Sequence, residues 1–451
     1  IHARELVKKR FFLLALVLVG INLVVFASVI WFKYPIYTYY DGWFIFTREF
    51  RKLFLNLNHV MFSDISYAGY SLAGYWHAGC PLYPFIAAAV SIVAGNVIAS
   101  MIITSTMFSL LGVYFIQKIA KEFMHYDDAK AYQLISIFIT LNVVSEFFFV
   151  PLPISITLAL PIMDTYYFLR FFHAPSARNG VGLSIVFTLT LFTRELIFPM
   201  LLVPLTVLVL LKLNITLHRP GFDVDFKHMF VRLLVTTVLI PCAIYAMYLL
   251  STGTHASLLL SLNNIWDCPK TPLWFFYSTF NTITFNWVLV LFCFILFLKA
   301  IVQGLKGRNL LAQEMATGGT GNQAISSTRG KVAGQEPGTP RSLGIFLEKH
   351  LVDYTIGTWA AIIFLSRIFL PGCPIEAYFL PCAFSLAVYV FKGTRISHNP
   401  RVQEYLFWFA IATNLVVLAT QAFPFYPFFD SNMLDFIEEW LRREMGWPFY
   451  P

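Results

Sequence analysis

The chain has 451 residues, of which 58% are apolar, 18% aromatic and only 12% charged, with a mean hydropathy of +0.68. An ordinary soluble domain carries about 25% charged residues, so a water-soluble globular fold is excluded. The net charge of +8 is dispersed between apolar runs, which argues against a nucleic-acid-binding face and leaves the charge as a topology signal.

Lys8, Lys9 and Arg10 precede the apolar run from Phe11 to Phe32. Its length of about 22 residues suits the roughly 30 Å hydrocarbon core, whereas signal-peptide apolar regions run about 7 to 15; it reads as a retained anchor. Further runs lie near 95–117, 131–150, 153–170, 180–195, 197–213, 229–250, 276–299, 354–371, 374–391 and 403–422. The expected fold is therefore an all-α polytopic membrane protein of about eleven transmembrane helices. Between the first two spans, Trp43, Phe46, Phe50, Leu53, Phe54 and Leu57 share one helical face, opposite Thr47, Arg48, Glu49, Arg51 and Lys52. That pattern predicts an interfacial helix on the bilayer surface, in contact with membrane lipids. A second short helix is expected after Pro84, and an amphipathic one near 433–441.

The positive-inside rule makes the N-terminus cytoplasmic. It places on that side Lys118, Lys121 and Lys130, Arg170 with Arg178, Lys212 with Arg219 and Lys227, and Lys392 with Arg395 and Arg401. Residues 180–213 must then return to the side they left in too few residues for two full spans of about 20. A short, broken helical pair around Arg194, Glu195 and Pro199 resolves this. The chain divides into a module at 1–303 with an external loop at 33–94, a cytoplasmic and partly disordered loop at 304–350, and C-terminal helices with an external tail at 351–451. The six cysteines lack metal-site spacing. Cys242, Cys293 and Cys382 read as core, while Cys80, Cys268 and Cys373 share one side, leaving room for one disulfide.

The external side collects Asp41, Asp64, His77, Glu146, Arg194, Glu195, His255, Asp267 and Arg367. Arg194 and Arg367 interrupt apolar sequence, where an arginine costs roughly 2.5 to 3.5 kcal/mol on insertion scales and needs an anion or water. Their planar forks suit a phosphate. An acid, two arginines and the aromatic residues Trp43, Tyr75 and Trp76 at one face point to chemistry on a lipid-linked sugar phosphate. The acid would deprotonate an acceptor hydroxyl, the arginines would hold the departing phosphate, and the rings would stack on sugars. Each has a plain structural alternative. Asp41 could cap a helix beginning at Gly42, Arg194 could pair with Glu195 or Glu146, Arg367 could snorkel to the headgroups, and His77 could be an ordinary loop histidine.

Taken in order, Asp41-Gly42-Trp43, the stretch Gly79-Cys80-Pro81-Leu82-Tyr83-Pro84, Ser145-Glu146, Thr193-Arg194 and Arg367-Ile368-Phe369-Leu370-Pro371 resemble elements of the GT-C-type membrane glycosyltransferases that use polyprenyl-phosphate sugars. The likeness is closest to the second GPI mannosyltransferase and its prokaryotic relatives. Cys80 and Ile368 stand where that family commonly has an aromatic residue and Tyr. The resemblance implies inverting transfer of a sugar, mannose foremost, from a dolichyl- or polyprenyl-phosphate donor to a glycan, lipid or protein acceptor. It implies Asp41 as base, Arg194 and Arg367 as donor-phosphate ligands, and His77 and Glu146 as cavity residues. No cofactor is required, a divalent metal is compatible, and a small membrane subunit is an open partner. The competing readings are a lipid-linked sugar transporter or flippase, which predicts paired breaks in two halves of the chain, and a scaffolding subunit.

Overall fold

A chain this apolar must satisfy its backbone polar groups within each segment, and the helix does so without outside partners. The computed structural model describes residues 2–32, 37–55, 66–67, 70–71, 81–145, 148–149, 154–193, 200–218, 226–252, 351–362 and 382–422. Within them the fold is helical apart from a two-residue antiparallel ladder, β1 (Ser66–Tyr67) with β2 (Tyr70–Ser71). The helices are α1 (His2–Phe32), α2 (Tyr37–Leu55), α3 (Leu82–Ala94), α4 (Val97–Glu122), α5 (Asp128–Thr140), α6 (Asn142–Ser145), α7 (Ile154–His173), α8 (Ala177–Leu191), α9 (Val203–His218), α10 (Phe226–Leu233) and α11 (Ile240–Thr252). They continue as α12 (351–362), α13 (Ala383–Thr394) and α14 (Pro400–Ala422).

Three described stretches are long and apolar enough to cross a membrane: Glu5–Phe26 in α1, Val97–Glu122, and Phe226–Thr252. Their outward faces, and those of α8, expose Leu13, Val24, Val181, Ile185, Met247 and Leu250. Water would penalise such surfaces and lipid solvates them. The chain is a membrane protein with a helical fold.

Lipid supplies no hydrophobic force between helices, so close packing and buried polar contacts must hold them. At Gly112 of α4, an added Cβ would lie 3.4 Å from Ile162 Cδ1 and 3.5 Å from Ala159 Cα, ordinary van der Waals contact that leaves no room for a side chain beyond a methyl group. Asn22 of α1 donates to the Ile139 carbonyl at 3.1 Å, and Asn414 of α14 donates to Thr140 Oγ1 at 3.3 Å. Both asparagines are buried and fasten α1 and α14 to the end of α5.

That same place corrects the expected span at 131–150. Leu141 turns out of the helix at φ −56°, ψ 130°, and α5 stops at Thr140. Asn22 takes a carbonyl the terminating helix leaves without a main-chain donor, so the break is stabilised by a side chain 117 positions away. The stretch 180–213 carries two short helices, α8 and α9, of 15 and 16 residues, while the expected break at Arg194, Glu195 and Pro199 lies outside the described residues. At a 1.5 Å rise each is about 22 to 24 Å long, short of a full crossing.

Helix α2 begins at Tyr37, upstream of the expected start at Trp43. Phe46 and Phe50, expected to face lipid, are buried within the protein, and so is Thr47, expected on the polar face. The apolar face meets α3, with Phe50 and Phe54 at 5.9 and 5.0 Å from the Phe85 ring, so it is not given over to lipid alone. Helix α3 starts at Leu82, which leaves Pro84 in the first turn, where a missing N–H costs nothing. Cys382 is buried, but Cys242 is exposed, because α11 turns Pro241 and Tyr245 inward instead. The expected span 276–299, the loop 304–350, the tail helix, and Cys80, Cys268, Cys293 and Cys373 lie outside the described residues.

Candidate functional site

One end of the bundle is basic and tied together by ion pairs. Lys8 lies 3.0 Å from Asp128, which Lys121 also pairs; Arg10 meets Glu404 at 3.3 Å. Arg395 donates to Gln133 Oε1 at 2.6 Å, Lys392 pairs with Asp353, and the Tyr166 hydroxyl donates to Glu122 at 3.0 Å. The starts of α1, α5, α12 and α14 thus share this end with the termini of α4, α7 and α13. Hydrogen bonds from Lys121 and Lys8 hold the Asp128 carboxyl below its ordinary range. These are residues that the distribution of positive charge assigned to a common side.

The segments carrying sequence motifs approach one another farther along α4. The Tyr83 hydroxyl donates to the Met101 carbonyl at 3.0 Å and lies 3.0 Å from Ser105 Oγ. One turn on, Ser109 donates to the Phe148 carbonyl at 2.8 Å. The Leu82 N–H donates to the Phe192 carbonyl at 3.2 Å, joining the start of α3 to the end of α8. Leu82 and Tyr83 belong to the Pro-flanked motif, Phe148 follows Glu146 by two residues, and Phe192 precedes Arg194 by two. The Pro-flanked motif thus touches α4 at Ser105 and the end of α8 at Phe192, and the segment after Glu146 touches α4 at Ser109. About 20 Å of helix separates Ser109 from Glu122 at the basic end, which puts Ser109 midway along α4 and Ser105 and Met101 toward its other end.

Asp41 and Trp43 lie in α2, whose contact with α3 brings them to the same group of elements. Asp41 is the fifth residue of the helix, not the residue before it, so the N-cap reading is corrected: a cap must have non-helical geometry. Tyr75, Trp76, His77, Glu146, Arg194 and Arg367 lie outside the described residues, as do Asp64, Glu195, His255 and Asp267. Their described neighbours Ser145 and Thr193 are buried, and the Thr193 hydroxyl donates to the Leu189 carbonyl at 2.9 Å. Helix α12, before Arg367, begins at the basic end through the Asp353–Lys392 pair.

The residue that sequence reasoning missed is Asp164. It is fully buried in α7, and its Oδ2 accepts from Thr190 Oγ1 at 2.9 Å, while Oδ1 has no hydrogen-bond partner among the described residues. The signal was present: an acid within the apolar stretch Leu158 to Phe172 is expensive in a membrane and by default marks function. Reading 153–170 simply as a span passed over it. Thr190 lies two residues before Phe192, so this carboxyl is bonded to α8 just before the end that meets α3.

Neither a family model nor a curated protein matches the chain. Among the described residues, no three His, Cys, Asp or Glu gather as a metal site. What the described residues offer is a meeting of the ends of α3 and α8 on α4, a fully buried acid of α7 bonded to α8, and an amphipathic helix carrying Asp41 that packs on α3 through Phe50 and Phe54.

Proposed function

We propose that the protein is an inverting glycosyltransferase of the GT-C type. It moves a sugar, mannose in the first instance, from a polyprenyl- or dolichyl-phosphate donor to a lipid-, glycan- or protein-linked acceptor. The proposal includes about eleven membrane crossings and a reaction on the extracytoplasmic face, away from the basic end. The observation that carries it is that the Pro-flanked motif bonds both to α4 at Ser105 and to the end of α8 at Phe192, while Phe148 bonds to α4 one turn on at Ser109. Segments that serve one site must lie near one another, and these contacts support that reading.

In this reading the Asp41 carboxylate takes the proton of the acceptor hydroxyl as its oxygen attacks the anomeric carbon. The bond from that carbon to the phosphate oxygen breaks, the electron pair leaves with the lipid phosphate, and the anomeric configuration inverts. Arg194 and Arg367 stabilise the charge growing on the phosphate. Trp43, Tyr75 and Trp76 stack on sugar rings, and His77 and Glu146 shape the cavity. A divalent metal is compatible with this chemistry and is not needed for it.

Transport of the same lipid-linked sugar is the second reading, favoured by Asp164, because buried acids also line translocation pathways. Purified protein offered a panel of polyprenyl-phosphate sugars and nucleotide sugars separates the two. Transfer to an acceptor from the polyprenyl-phosphate donors alone is expected. Use of nucleotide sugars, or movement of the donor across vesicles without transfer, would overturn the proposal.

A further inference from the structure

Helix α8 and the α10–α11 helix lie side by side and run in the same direction. Gly180 faces Thr236, Ser184 Oγ donates to the Thr236 carbonyl at 2.9 Å, and the Phe192 ring sits 5.4 and 5.0 Å from those of Tyr245 and Tyr248. Between them opens a groove of about 770 Å³. Its shape follows from Pro241, which has no N–H for the carbonyl four residues earlier. The chain widens into a π-helical turn, Leu234–Leu239, in which the Ile240 N–H reaches the Val235 carbonyl, and such turns recur at functional sites.

The walls are apolar, with Val181, Ile185, Leu189, Ile240 and Ile244 among the lining residues. The hydroxyls on the floor are already used. Ser184 donates to Thr236, Thr236 to the Arg232 carbonyl at 2.8 Å, and Thr188 to the Ser184 carbonyl at 2.7 Å. Past Ser176 and Arg232, at the end where α8 begins, the groove offers a polar ligand no free donor, whereas a hydrocarbon chain needs none. From Ala177 to Leu189 the groove follows α8 for about 18 Å, close to the roughly 15 Å of one leaflet.

Charge identifies the occupant. Arg232 lines the groove at the end where α8 begins, is exposed, and has no ion-pair partner among the described residues. Arg178 and Lys227 occupy the first turns of α8 and α10 at that same end, and the two helix N-termini add a positive field. We propose that this groove binds one chain of an anionic phospholipid from the leaflet at the basic end, with the headgroup phosphate at Arg232. The site is independent of the proposed transfer reaction, which lies toward the other end of the bundle.

Native mass spectrometry of the full chain in detergent tests this, with phosphatidylglycerol and phosphatidylcholine of identical chains added in turn. One phosphatidylglycerol retained in preference to phosphatidylcholine is expected. Arg232→Ala should weaken its retention about fivefold, the effect of one surface cation on an anionic lipid, and weaken phosphatidylcholine less, because choline already neutralises that lipid's phosphate. Ile185→Trp, at an exposed position on the groove wall, should reduce retention of both lipids. Equal retention of the two lipids by the native chain, or unchanged phosphatidylglycerol binding in either variant, would overturn the proposal and leave only general lipid solvation.

Discussion

Replacing Thr190 by Val removes the hydroxyl whose proton is shared between Asp164 Oδ2 at 2.9 Å and the Val186 carbonyl at 3.0 Å, and changes almost nothing else in volume. Both residues are fully buried, and Asp164 Oδ1 already lacks a partner among the described residues, so the variant strips the carboxyl of its described hydrogen bond. A buried polar group left unsatisfied costs about 1 to 3 kcal/mol, while hydrogen bonds between membrane helices average about 0.6 and reach about 1.7 kcal/mol. The expected loss is therefore about 1.5 kcal/mol. Thr188→Val is the control, because the Thr188 hydroxyl donates only within its own helix, to the Ser184 carbonyl, and should cost under about 0.5 kcal/mol. Equilibrium unfolding in mixed micelles with increasing dodecyl sulfate measures both. In an Asp164→Ala background, Thr190→Val should add little, since the pair shares one interaction. Equal losses for the two threonine variants, or full additivity with Asp164→Ala, would refute the assignment of Thr190 as the partner of this acid.

Gly112→Val should lower the thermal midpoint by forcing α4 from Ala159 and Ile162, at a cost of about 1 to 3 kcal/mol. Tyr83→Phe, which removes the contacts to Met101 and Ser105, should cost about 1 kcal/mol in micelle unfolding and reduce sugar transfer by displacing the Pro-flanked motif. Asp128 contributes to stability against acid. Its folded pKa lies below the unfolded value of about 3.9, so its contribution is complete above that pH and is lost as pH falls through the lowered folded value. Asp128→Asn should flatten this part of the stability curve, measured as unfolding midpoint against pH, with a loss of about 1 kcal/mol at pH 7 for a partly exposed pair.

Much of the architecture was legible because it depends on composition and local pattern. The presence of α1 and α4, the short helices α8 and α9, and the common side of Lys121, Arg170 and Arg395 follow from hydropathy and the placement of positive charge. The break at Leu141 was not legible, since apolar residues continue through it and the stabilising Asn22 comes from another helix. The start of α2 at Tyr37 was obscured by its own apolar and aromatic residues, which blend into the preceding run. The outward face of Cys242 depends on which side of α11 meets α8, a tertiary fact. Of the candidate site, the sequence marked the segments but not the contacts through Ser105 and Ser109 that draw them together. It also contained Asp164 in plain view, as a single acid in a span otherwise read for its hydrophobicity.

The most direct test of the central claim is the rate of sugar transfer by Asp41→Asn from a polyprenyl-phosphate donor, with the thermal midpoint measured on the same preparation. Asp41 is inside α2 and not its cap, so the amide should leave the fold intact while removing the proposed base, which contributes about 100- to 10,000-fold. The account predicts a rate lowered by at least about 100-fold at an unchanged midpoint. Transfer at the full native rate would contradict it.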